Sequence, residues 1–68
     1  MKFSTLIAPY KTDLELALYW IKNNNLLRST SEIQKLDNKY IVRVRHKGNK
    51  QSLTTLVKDR FGVFVEVI

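Results

Sequence analysis

Residues 40–46 alternate as a half-buried strand does. Tyr40, Val42, Val44 and His46 fall on one side; Ile41, Arg43, Arg45 and then Lys47 fall on the other. Successive strand side chains point to opposite faces, so this stretch has one side to bury and one basic side to leave in water. Such a strand needs both a partner strand and a covering layer. Those two needs constrain how the rest of the chain folds.

The partner strand lies just upstream. Asp37-Asn38 supplies a two-residue turn able to take positive φ. With that turn, Ile33 faces Val42, Ser31 faces Val44 and Lys35 faces Tyr40. On the other side Glu32 faces Arg43, Gln34 faces Ile41 and Thr30 faces Arg45. The register gathers Ile33, Tyr40, Val42 and Val44 on one side and sets an acid opposite a base.

Two helices can form the cover. Thr12-Asp13-Leu14-Glu15 reads as a capping box, opening a helix through about Asn23. Leu14, Ala17, Leu18 and Ile21 share one face of it, widened by Leu16 and Trp20. The run Asn23-Asn24-Asn25 ends the helix, because Asn tolerates the left-handed conformation. After Gly48, Asn49 caps a second helix over about residues 50–60. Its apolar stripe is Leu53, Leu56 and Val57, extended by Phe61, and Gly62 stands where a terminating glycine belongs.

Residues 2–8 read as a first strand ended by Pro9, and residues 63–68 as a closing one with Val63, Val65 and Val67 on one side. The order β-α-β-β-α-β predicts an α+β, ferredoxin-like sandwich in one domain spanning residues 1–68. It has a four-stranded antiparallel sheet, spatial order 4-1-3-2, with both helices on one face. The other face stays open. It carries Ile41, Arg43, Arg45 and Lys47 from the third strand and Phe64, Glu66 and Ile68 from the fourth. The first strand contributes either Leu6 and Ala8 or Phe3 and Ile7, a choice the sequence leaves open.

This topology is similar to that of RNA-recognition domains, whose third strand carries stacking aromatics in a Lys/Arg-Gly-Phe-like motif. In Lys39-Tyr40-Ile41-Val42-Arg43-Val44-Arg45 the one aromatic falls on the core side, so the signature is missing.

Charge sharpens the reading. Twelve Lys and Arg against six Asp and Glu give a net +6. Residues 1–38 hold five bases and four acids, and residues 51–68 two of each. Lys39, Arg43, Arg45, Lys47 and Lys50 form a run of five bases with no acid among them. Arg bonds phosphate in a fork and stacks on bases, so the expected ligand is RNA or single-stranded DNA. Arg43, Arg45 and Lys47 are the expected contacts, supported by Lys39 and Lys50.

The alternative is a small phage-type effector that binds and inhibits a larger host protein. The basic strip would steer it to an acidic surface, and Ile41, Phe64, Ile68 and Trp20 would form the interface. A homodimer is compatible with either reading.

No enzymatic role is expected, and a small basic ribonuclease is the remaining alternative. His46 continues the apolar row, no Gly-rich phosphate loop occurs, and Glu32 and Lys35 lack the paired Asp of metal-dependent nucleases. With no Cys and one His, neither a disulfide nor a structural zinc site is expected. No cofactor, metal or small-molecule substrate is expected either. The N-terminal apolar stretch is too short and interrupted for a secretory signal, and no run approaches a membrane span. A cytoplasmic, soluble protein is the expectation.

Overall fold

A computed structural model describes residues 2–68 of the chain. Met1, which opens the short apolar N-terminal stretch, lies outside them. The elements are β1 (Lys2–Ala8), α1 (Lys11–Asn23), β2 (Leu27–Thr30), β3 (Gln34–Leu36), β4 (Lys39–His46), α2 (Lys50–Phe61), a 3₁₀ turn (Gly62–Phe64) and β5 (Glu66–Val67). They form a small α+β domain with two helices and an antiparallel sheet of five strands. The strand order is β2-β4-β1-β5, with β3 also beside β4.

The central ladder joins β1 to β4, from Lys2 opposite His46 to Ala8 opposite Tyr40. It settles which side of β1 is which. Ser4, Leu6 and Ala8 are buried with Val42, Val44 and His46, while Phe3 is exposed and Thr5 and Ile7 are half-buried on the other side. Leu14, Ala17 and Ile21 of α1, Leu53 and Val57 of α2, and Val65 complete the core. Both helices therefore cover the same face of the sheet.

The helix ends follow local chemistry, with one departure. Asn49 caps α2, its Oδ1 accepting from the Ser52 amide at 2.8 Å. Asn25 takes φ 61° beyond α1, where the amides of Asn25 and Leu26 donate to the carbonyls of Lys22 and Ile21. That paired closure satisfies carbonyls the helix would otherwise leave open. The expected capping box at Thr12 does not form: α1 starts at Lys11, and its cap residue Tyr10 makes no side-chain bond. The backbone carbonyl of Tyr10 accepts from Asp13 at 3.2 Å instead. Pro9 ends β1, and the turn closes at once, placing Thr12 inside the first helical turn.

The upstream hairpin strand is split, which is why the sheet has five strands and not four. Next to the turn the expected register holds: Gln34 faces Ile41, Lys35 faces Tyr40 and Leu36 faces Lys39. Asp37 takes the positive φ, 56°. Farther out the pairing slips by one residue, so Thr30 faces Val44 and Ser29 faces Arg45. The expected pairs of Ile33 with Val42, Ser31 with Val44, Glu32 with Arg43 and Thr30 with Arg45 are not made. Ser31 sits where the register changes. Its amide donates to the Arg43 carbonyl at 2.9 Å, and its hydroxyl accepts from the Arg43 amide at 3.0 Å. One residue thus satisfies both backbone groups of Arg43, and Glu32 and Ile33 drop out of the ladder.

The closing strand is shorter than expected. Gly62, at φ 58°, turns the chain off α2 into the 3₁₀ turn, so Val63 stands 89% exposed and leaves the anticipated Val63/Val65/Val67 row. Pairing with β1 begins only at Glu66 and continues through Ile68, whose amide and carbonyl both bond Thr5.

The two helix starts make a contrast that denaturation can read. Asn49→Ala should lower stability by about 1 kcal/mol through loss of the cap. Thr12→Ala should change it by less than about 0.5 kcal/mol, as an ordinary exposed substitution does. Urea unfolding of both variants checks this, and equal losses would contradict the observed start of α1.

Candidate functional site

The open face is a grid of strand positions, and its chemistry changes from one end to the other. At one end Arg45 of β4 stands between Phe3 of β1 and Ser29 of β2. In the next row Arg43 stands between Thr5 and Ser31. Side chains two apart on a strand are rooted roughly 6.6 Å from one another, so the two guanidinium groups are near neighbours. Their mutual repulsion is only about 0.6 kcal/mol at that distance in water. An anion lying along the pair would turn it into attraction.

Phe3 joins the two arginines into one site. Its ring is 61% exposed, and the Arg43 guanidinium reaches diagonally over it, 5.4 Å from the ring centre. That contact is worth about 0.5–1 kcal/mol at an exposed position. It holds Arg43 over the sheet rather than letting it trail into solvent. Phe3, Ser29, Thr30, Ser31, Arg43 and Arg45 line a shallow groove of about 370 Å³. The groove offers a flat π-face, two forked cations and a polar wall.

The other end of the face is mostly apolar. Ile7 faces Ile41 across the central ladder, Glu66 flanks Ile7 on β5, and Phe64 is 60% exposed.

The structure brings only part of the basic run together. Arg43 and Arg45 share the groove. Lys39 is on the same side of β4 but six residues from Arg45, roughly 20 Å along the strand. Lys47 lies one residue beyond β4, its amide bonded to the Leu26 carbonyl. Lys50 opens α2, in the helix layer. Of the apolar candidates, Ile41 and Phe64 fall at the far end of the open face, while Ile68, bonded to Thr5 through both backbone groups, sits in the row of Arg43. Trp20 is elsewhere: half-buried between the helices, it donates from Nε1 to the Leu56 carbonyl at 3.1 Å.

In the sequence Phe3 is one of two options for the open face, and neither Ser29 nor Ser31 stands out. Buried Ser4 holds the signal for Phe3. A serine inside the sheet needs a buried partner, and the row ending in His46 supplies one. The signal for Ser31 is weaker, because a serine that doubles as a backbone acceptor looks like any strand serine.

Ser4 and His46 form a buried polar pair beneath the face. Nε2 of His46 lies 2.8 Å from Ser4 Oγ, and Nδ1 lies 3.1 Å from the Lys47 carbonyl. A carbonyl only accepts, so Nδ1 carries a proton, and in the neutral ring Nε2 accepts from the serine hydroxyl. Ser4 is 3% and His46 0% exposed, so no substrate reaches this serine–histidine contact. It is a structural bond. Among the described residues no three acidic or histidine side chains gather in a way that could hold a metal ion, and no helix is long and apolar enough to cross a membrane.

No family model, curated protein or solved structure matches the chain.

Ser4→Ala should leave the buried Nε2 without a partner and cost about 1–3 kcal/mol of stability. The open face should be unaffected. Urea unfolding, with a ligand-binding assay on the folded variant, separates the two effects; a loss of binding without a loss of stability would mean that the pair serves function.

Proposed function

We propose that the domain is a non-enzymatic binding module for single-stranded nucleic acid, RNA or DNA, and that the Phe3 groove is where it binds. The observation that carries this reading is the Arg43–Phe3–Arg45 arrangement. An unpaired base can stack on the phenyl ring as the Arg43 guanidinium swings off it, and the two guanidinium groups then take the flanking phosphates. Stacking needs an exposed base face, which a duplex hides, so single strands are favoured. The flat floor and low walls suit an extended strand better than a small molecule, which prefers an enclosing pocket. Lys39 and Lys47 extend the positive field beyond the groove in both directions along β4, and Lys50 adds to it from the helix layer.

The same reading takes β2 and β3 together as one strand interrupted at residues 31–33. On that count the element order is ferredoxin-like, with the open face as its binding surface. A second reading draws on the exposed Phe64 and Ile68: a small effector, of the phage type, that inhibits a larger host protein by docking on an acidic surface. A cytoplasmic setting suits either ligand.

Two variants test the main reading by different signatures. Arg43→Gln with Arg45→Gln should weaken binding to a single-stranded oligonucleotide. It should also lower the slope of log affinity against log salt by about 1.4, at about 0.7 per phosphate contact. Phe3→Ala should cost about 1–3 kcal/mol of binding and leave the salt slope unchanged. Fluorescence anisotropy across a salt series measures both. Absence of binding to any single strand at low salt sinks the proposal. Protein recovered specifically from a nuclease-treated lysate, in that event, supports the effector.

A further inference from the structure

A second groove, on the helix layer, has a chemistry the open face lacks. Leu16, Tyr19, Trp20 and Asn23 of α1 and Arg60 and Phe61 of α2 line it, with a volume of about 300 Å³. Leu16 and Tyr19 are 52% and 65% exposed, although the apolar stripe of α1 that enters the core is complete without them. Arg60 lies over the Trp20 ring at 4.6 Å, closer than Arg43 lies to Phe3. The indole is itself anchored through Nε1 to the Leu56 carbonyl. Arg60 is thus held on a fixed platform, and a guanidinium so held loses little freedom on meeting a carboxylate. None of the other five lining residues carries a charge.

We propose that this groove docks a short acidic, apolar segment of a partner protein, its carboxylate on Arg60 and its apolar side chains against Leu16 and Tyr19. Charge complementarity selects this occupant. One fixed cation in an apolar wall matches one carboxylate among apolar side chains. A nucleic-acid strand matches a row of cations, which the open face has and this groove lacks. A second copy of the chain would bring a net +6 against a net +6. The inference does not rest on the nucleic-acid reading, because the two grooves share no residue.

Trp20 is the only tryptophan of the chain, so intrinsic fluorescence reports this groove directly. The probe is an amphipathic helical peptide of Leu, Ala and Glu, with a control in which every Glu is Gln. The expected result is a saturable change in Trp20 emission with the Glu peptide. Arg60→Gln should weaken it roughly tenfold, the scale of a lost charged hydrogen bond. Leu16→Gln, at an exposed position, should weaken it too, while the Arg43→Gln, Arg45→Gln variant should bind as the parent does. Thermal melts confirm that each variant is folded. No saturable change up to millimolar peptide, an equal response to the Gln control, or binding unaffected by both groove variants overturns the proposal. Saturation by a single-stranded oligonucleotide but not by the peptide overturns it as well, and would assign the groove to nucleic acid.

Discussion

The antiparallel ladder between β1 and β4 is the constraint on which the rest depends. It runs without interruption from Lys2–His46 to Ala8–Tyr40 and fills the middle of the sheet. A slip of one residue would send Leu6 outward and Phe3 inward, because side chains alternate with a period of two. The Ser4–His46 hydrogen bond opposes that slip, since each group would lose the other as its side-chain partner. A polar contact of ordinary strength therefore helps fix the register of an apolar core.

The open face follows from the same ladder. With Leu6 and Ala8 committed to the helices, Phe3, Thr5 and Ile7 must look the other way. With Val42 and Val44 committed, so must Ile41, Arg43 and Arg45. The groove is the back of the core, and no separate element builds it. Phe3 contributes little to the interior, so its exposure is tolerated, and Arg43 partly shields its ring.

The sequence made much of this legible, and the failures have identifiable causes. The alternation in β4, the turn at Asp37, the Asn25 closure and the Asn49 cap could all be read from residues a few positions apart. Each rests on local chemistry that tertiary packing left alone. The Thr12 capping box also looked local, but the chain direction imposed by Pro9 decided where α1 starts. The break in the hairpin coincides with one hydroxyl meeting a backbone amide twelve residues away, which no pattern of polar and apolar residues encodes. The early end of pairing at β5 has a similar origin. Gly62 sets how the chain leaves α2, and the 3₁₀ turn uses up residues that alternation alone would assign to a strand. The candidate site was half visible: two arginines on one side of a strand were evident, but the phenyl ring that joins them was not, because its side of β1 depends on pairing across forty residues.

The break at residues 31–33 bears on how molecules of this protein behave in a crowded solution. The outer strands of a sheet are where foreign chains add, and long straight edges seed fibrils. Here one edge is kinked at Ser31 into two short pieces, and the other is a strand of two residues. Neither offers a run of unpaired amides long enough to template another strand. A chain rich in Val, Ile and Phe thus keeps an exposed sheet face available while its margins resist aggregation.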